Sequence, residues 1–175
     1  MLGIVLSAHL HTLPATAKIA TVFVADDVDG VSARVEIIAP TDLIWRAMQG
    51  CEGVRRFVTG LKSCVVKSPD AAGAFEVIHD RVERGWPVPL TSAFRQAYEP
   101  QRSIRVTRIS GDLLVLDARW TLSRSGDSNA TVVKNDGRVG IDTQVTCALS
   151  RPVIEAGFRN TLERMASELR RGPRS

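Results

Sequence analysis

Residues 108–123, RISGDLLVLDARWTLS, alternate between apolar and polar side chains over most of their length. Because successive side chains of a β-strand point to opposite faces, this stretch predicts a long strand with one apolar and one solvent-exposed face. That apolar face must lie either against a filled core or along a space that holds a ligand. Its members are Leu114, Leu116, Ala118, Trp120 and Leu122.

The same reading predicts further strands and two short helices. Residues 31–37 alternate as a strand and are followed by Pro40, which suits the first turn of a helix. Two short helical segments precede residue 60, and about six antiparallel strands joined by short turns follow. Gly111–Asp112 predicts a hairpin turn, and Asp136–Gly137, inside a later alternating run, predicts a bulge or a bend.

The period changes to that of a helix between Arg151 and Arg171. Apolar residues recur there at steps of three and four, which predicts an amphipathic helix of about 20 residues. A sheet with one apolar face must be covered, and this helix is the only element large enough to cover it. The sequence therefore predicts an α+β fold, in which a curved antiparallel sheet of about six or seven strands wraps around a long C-terminal helix. The stripe consists of Ile154, Phe158, Leu162, Met165 and Leu169.

Composition limits the partners. The 175 residues are 44% apolar and 24% charged, as in a soluble globular protein of one domain. The net charge is +4, and residues 150–175 supply +3 of it through six arginines against three glutamates. This basic end favours a solvated helix face, with peripheral contact to an anionic membrane as the alternative. Nucleic acid is not a predicted partner, because no recognition helix or basic-aromatic run accompanies the charge.

The N-terminal segment leaves the compartment open. Residues 1–30 are interpreted as a leader, and residues 31–171 as the domain. Residues 1–17 begin apolar and end in a small-x-small pattern, but they lack an early positive charge and contain two histidines, so they only partly match a signal peptide. A cytoplasmic location is slightly favoured, with a periplasmic or secreted one if the segment is a signal. Three widely spaced cysteines predict buried free thiols.

Several short motifs, taken in order, resemble the START-like superfamily (SRPBCC proteins), most closely its polyketide cyclase and coenzyme Q-binding branch. An alternating strand ends in Ala39–Pro40, a helix carries Trp45, and a short helix spans Glu52–Phe57. Ser110–Asp112 then precedes a strand with Trp120. The resemblance covers about residues 31–170.

The resemblance implies a helix-grip fold with a deep apolar cavity between the sheet and the last helix. In such proteins the cavity holds a lipid, a polyprenyl quinone or a polyketide. Two departures affect the ligand class more than the fold. The sequence Asn-Asp-Gly at 135–137 interrupts the penultimate strand, and the approach to the last helix keeps one proline, Pro152.

The candidate ligand-binding residues are large apolar side chains, because ligand pockets are mostly apolar with a few orienting polar groups. For any single member, filling a core is an equally good interpretation. Trp86 differs from the others because the segment GWPVPL places it on a loop, as a pocket gate or a membrane contact. The set is Trp45, Phe57, Trp86, Phe94, Leu114, Leu116, Trp120, Ile154, Phe158, Leu162 and Met165.

No catalytic constellation stands out in the sequence. His79 shares a face with Phe75 and Val77 in one phase of its strand but faces solvent in the other. Arg95 and Tyr98 are further polar candidates, and each is also well explained as a surface or strand-end residue. There is no metal-ligand spacing, phosphate loop or nucleophile elbow, so neither a metal nor another cofactor is predicted.

Three functions remain open. The first is non-enzymatic binding or transport of a lipophilic small molecule, with a polyprenyl quinone or lipid as the guest. The second is an aromatase/cyclase-type enzyme acting on a polyketide, which requires polar side chains converging inside the cavity, with His79, Arg95 and Tyr98 first in line. The third is an interaction module whose cavity has collapsed below the ~300 Å³ of a ligand pocket.

Overall fold

The computed structural model describes residues 22–24, 30–82, 89–126, 129–141 and 147–171. Eight strands and three helices follow one another along this part of the chain. The strands are β1 (Val22–Val24), β2 (Gly30–Ile37), β3 (Leu61–Val66), β4 (Phe75–Arg81), β5 (Leu90–Glu99), β6 (Ser103–Gly111), β7 (Leu113–Arg124) and β8 (Thr131–Ile141). The helices are α1 (Thr41–Met48), α2 (Gly50–Phe57) and α3 (Cys147–Arg171).

All strands form one antiparallel sheet in the order β1-β2-β8-β7-β6-β5-β4-β3. The seven strands from β2 to β8 are those of the predicted helix-grip fold, and the three-residue β1 extends the sheet beyond β2. The two short helices follow β2 as predicted. The long helix α3 runs to Arg171 but begins four residues earlier than the periodicity indicated.

The larger of two apolar clusters among the described residues joins the sheet to the helices. It contains Ile37 and Ile44, each at most 1% exposed, together with Leu162 and Met165 of α3. Thr131 of β8 donates a hydrogen bond to the carbonyl oxygen of Ala39 at 2.8 Å, which holds the entry to α1 against the sheet. The core therefore fixes α3 across the concave side of the sheet.

A β-bulge at the start of β7 corrects the prediction for Leu114. Leu113 pairs with Ile141 and Val115 pairs with Gly140, so β7 has one residue more than β8 at this point. The extra residue reverses the alternation of faces. Leu114 is consequently 54% exposed, and Leu113 is buried in its place. From Leu116 onward the predicted face is observed.

Of the bulge or bend predicted at Asp136–Gly137, the bulge is wrong. The pairing of β8 with both neighbouring strands is continuous across these residues. Gly137 lies opposite Ala118, and a Cβ added to it would lie 2.5 Å from the Ala118 side chain and 2.7 Å from the carbonyl oxygen of Asp117. The glycine therefore permits the close approach of two strands.

The prediction of free thiols is wrong for two of the three cysteines. Cys51 of α2 and Cys64 of β3 form a disulfide. A spacing of 13 residues carries no recognisable signal on its own, because only the fold brings these positions together. The bond ties α2 to the edge strand of the sheet.

Candidate functional site

A cavity of about 180 Å³ lies between the concave face of the sheet and α3, and it is partly open to solvent. Its described lining is mostly apolar and comes from all three helices and from strands β4 to β8. The apolar lining residues are Met48, Val54, Phe57, Val58, Leu90, Phe94, Ile104, Val106, Leu113, Leu116, Ala118, Trp120, Val139, Ile154, Phe158 and Met165.

The cavity brings together seven of the predicted ligand-binding residues: Phe57, Phe94, Leu116, Trp120, Ile154, Phe158 and Met165. Leu114 does not line it, for the reason given above. Trp45 and Leu162 are 7% and 2% exposed and belong to the core beside the cavity. Trp86 lies outside the described residues.

The core positions of Trp45 and Leu162 have a simple physical reason. The Trp45 ring packs edge-on against Tyr98, with ring centroids 5.9 Å apart, and so fills the space between α1 and the sheet. Leu162 is one turn beyond Phe158 on α3, where the helix is in contact with the core. A helical stripe identifies residues that face inward. It does not show which of them pack against other side chains in the core and which of them line a cavity.

Small residues give the cavity part of its volume. Ser92, Ala118 and Gly157 all line it, on β5, β7 and α3. A glycine inside a helix costs about 1 kcal/mol relative to alanine, so Gly157 is a local loss of stability at a position facing the cavity. The space is therefore bordered by short side chains on both of its walls.

Two aromatic rings form a flat surface in the lining. The rings of Trp120 and Phe158 are stacked, with centroids 6.3 Å apart and an interplanar angle of 29°. One ring comes from the sheet and the other from α3. This surface suits a flat or ring-containing guest.

His79 lies inside, which resolves the two phases left open by the sequence. It is 9% exposed, lines the cavity and packs edge-on against Phe94 at a centroid distance of 4.8 Å. Its neighbour across the strands is Ser92, which also lines the cavity. Two polar side chains therefore meet on the β4–β5 side.

Arg95 and Tyr98 do not join His79. Nε and Nη2 of Arg95 donate to Oδ2 of Asp70 at 2.9 and 2.7 Å on the exterior. The Tyr98 hydroxyl donates to Oε1 of Gln96 at 2.6 Å, and burial raises the pKa of this tyrosine. Gln96 itself lines the cavity, so the tyrosine holds in place an amide that a guest can reach.

Asn135 is the residue that the sequence analysis missed. It is 0% exposed and lines the cavity. Neither its Nδ2 nor its Oδ1 has a hydrogen-bond partner among the described residues. Strand register places it between Ala33 of β2 and Trp120 of β7. The alternation of Val133, Asn135 and Val139 along β8 was the available signal, and reading residues 135–137 as an interruption concealed it.

The electrostatic character of the cavity is nearly neutral. Its described lining contains no aspartate, glutamate, lysine or arginine. Within the described ranges, no three His, Cys, Asp or Glu side chains come together as a metal site.

None of the described helices is long and apolar enough to cross a membrane.

Two solved bacterial structures share this fold. A START superfamily protein from Mycobacterium smegmatis has a TM-score of 0.71 at 15% identity, with 82% of this chain and 98% of that one covered. The Zhui aromatase/cyclase from Streptomyces sp. R1128 has a TM-score of 0.66 at 17% identity, with 83% and 96% covered. At such identities the similarity shows the fold alone.

The sequence comparison reaches the family level. No functionally curated protein matches the chain significantly. Residues 37–170, which include both short helices, strands β3 to β8 and nearly all of α3, match the family described as polyketide cyclase / dehydrase and lipid transport. The chain, with its START-like helix-grip fold, therefore belongs to the polyketide cyclase/dehydrase and lipid transport family.

Proposed function

We propose that this protein binds and carries a lipophilic small molecule in the cavity between the sheet and α3, without transforming it. A polyprenyl quinone or a lipid is the proposed guest. The observation that carries the proposal is the cavity itself, with an apolar wall on each side and the Trp120–Phe158 surface within it. Membership of a family that includes lipid transport supports the same class of guest.

The volume of the cavity limits how much of the guest it can enclose. A cavity of about 180 Å³ is smaller than the ~300 Å³ of a typical ligand pocket but larger than the roughly 150 Å³ that accommodates benzene. We therefore infer that a ring or a short segment occupies the space. A polyprenyl or acyl chain would leave through the opening.

The small volume is also what a collapsed interaction module requires. That alternative does not account for the polar side chains spaced along the cavity, because a void left by imperfect packing has no need for them. Its proposed membrane contact involves the basic C-terminal end, of which residues 172–175 lie outside the described residues.

The direct test is to identify what the protein carries. The protein is purified without detergent and extracted with organic solvent, and the extract is analysed by mass spectrometry. We expect a near-stoichiometric quinone or lipid from the unmodified chain and less from Phe158→Trp, whose larger ring narrows the cavity. Ile109→Trp, at an exposed position outside the lining, is the matched control and should retain the compound.

A negative result has a clear meaning. A protein that is empty after purification, and that also takes up no short-chain quinone or fatty-acyl lipid when these are offered, is not a carrier of this class. The search would then move from ligands to protein partners.

Aromatase/cyclase-type catalysis is the second candidate, because His79, Ser92 and Asn135 are polar groups inside the cavity. Such an enzyme needs an acid or base that can reach the folding polyketide, and His79 is the described lining residue whose imidazole can take either role. The test is incubation with a linear polyketide thioester, followed by liquid chromatography and mass spectrometry. Catalysis predicts a cyclised product that is lost in His79→Phe, whereas a carrier returns the guest unchanged.

A further inference from the structure

The buried amide of Asn135 is the least satisfied polar group in the described lining. Its residue is 0% exposed, and both amide atoms lack a partner in the part of the chain that the structure describes. A polar group that gives up water without gaining a hydrogen bond destabilises the folded state. A guest that offers this amide a hydrogen-bond partner would therefore stabilise the protein.

The amide of Asn135 lies beside the aromatic surface formed by Trp120 and Phe158. Asn135 and Trp120 are direct neighbours on β8 and β7, and the Trp120 ring stacks on Phe158. A flat guest lying against these two rings would have its edge near the amide. The geometry places a hydrogen-bonding group beside an aromatic surface, which is the arrangement that orients a ring with one polar substituent.

The lack of charged side chains in the described lining favours a neutral polar substituent on the guest's ring. Since the described lining includes no acidic or basic side chain other than His79, an ionised group of the guest would lose its hydration without gaining an opposite charge. His79 is on β4, separated from β8 by β5, β6 and β7 in the sheet. The amide of Asn135 can donate to a carbonyl and accept from a hydroxyl, both of which are neutral.

We propose that Asn135 is the hydrogen-bonding anchor of the cavity and selects guests whose ring carries a neutral carbonyl or hydroxyl group. This inference rests on the proposed binding function and specifies its ligand class. It favours ring ketones, quinones and phenols over carboxylates and phosphate-bearing head groups inside the cavity.

The test measures the binding of three two-ring probes by isothermal titration calorimetry. Naphthalene has no polar group, 2-naphthol has a neutral hydroxyl group, and 2-naphthoate is anionic at neutral pH. The variants are Asn135→Leu, which keeps a branched side chain without the amide, and Asn129→Leu, which makes the same change at an exposed position outside the lining. We expect Asn135→Leu to weaken 2-naphthol binding roughly tenfold and leave naphthalene binding unchanged.

The remaining arms complete the pattern. Asn129→Leu should bind 2-naphthol as the unmodified protein does, and 2-naphthoate should bind the unmodified protein more weakly than 2-naphthol. Ligand-free Asn135→Leu should unfold at a higher temperature than the unmodified protein, because a buried amide without partners has been removed. Asn135→Val provides a second amide-free variant if the leucine does not fit.

The outcomes separate this inference from the proposed function. If the unmodified protein binds neither naphthalene nor 2-naphthol, the proposed binding function fails. If it binds both and Asn135→Leu affects them equally, the cavity binds ligands but the anchor is wrong. Tighter binding of 2-naphthoate than of 2-naphthol would overturn the anchor, because the cavity would then prefer an anionic group. Failure of both amide-free variants to fold would also overturn it, because the amide would then be required for folding.

Discussion

Phe158→Trp distinguishes a cavity from a filled core at a single position on α3. The substitution adds three ring atoms at a residue that lines a space of about 180 Å³. At about 0.8 kcal/mol per buried carbon-sized group, the added atoms can contribute up to about 2 kcal/mol. We therefore expect the free energy of unfolding to stay constant or to rise by as much as about 2 kcal/mol.

The control is Leu162→Phe on the same helix. Leu162 is 2% exposed and lies in the core outside the cavity lining, so a larger side chain there must displace packed atoms. Overpacking of this kind costs about 1–3 kcal/mol. Urea unfolding of both variants gives the free energies, and equal slopes would show that the unfolded states are comparable. Naphthalene binding should weaken in Phe158→Trp, because the indole ring takes up the guest's space.

One result would refute this reasoning. If Phe158→Trp destabilises the protein by about 1–3 kcal/mol, as much as Leu162→Phe does, then the space at α3 is already filled in solution. The carrier proposal would lose its main support.

Three further perturbations test other parts of the structure. Gly137→Val should lower the free energy of unfolding by about 3 kcal/mol in urea titrations, because its side chain would collide with the neighbouring strand; a neutral effect would contradict the close approach. Replacing Cys51 and Cys64 together by alanine should cost about 3 kcal/mol under non-reducing conditions, and a reductant should lower the stability of the unmodified protein but not of this variant. The backbone N–H of Ala74 and the guanidinium of Arg95 hold the pKa of Asp70 below its ordinary value. The ionised carboxylate therefore stabilises the fold at a pH above the ordinary carboxyl pKa. This stabilisation is lost as the pH falls through the lowered pKa of Asp70. Thermal midpoints measured from neutral to acidic pH should therefore fall less for Asp70→Asn than for the unmodified protein, and parallel profiles would contradict the assignment.

Periodicity predicted the elements and much of the cavity wall. The helical stripe correctly placed Phe158 and Met165 on the cavity side of α3, and strand alternation did the same for Trp120. These predictions work because side-chain direction follows directly from the backbone period. The order of the elements then sufficed for the fold, since only α3 was long enough to cover the sheet.

The errors come from features that depend on neighbouring strands and helices. The bulge that exposes Leu114 is a shift in the pairing of β7 with β8. The alternation of residues along β7 alone does not predict this shift. Whether Leu162 borders a void depends on which other side chains reach it. The disulfide and the isolated amide of Asn135 likewise arise from long-range contacts that a local pattern does not contain.

The short side chains at Ser92, Ala118 and Gly157 have a consequence for how selectivity can change over time. Because they border the cavity on both walls, longer side chains at these positions would shorten or narrow it. Solved structures with 15–17% identity share the fold, so most side chains differ between chains of this architecture. Under the proposed binding function, these three positions offer the most direct way to redesign which compound the cavity accepts.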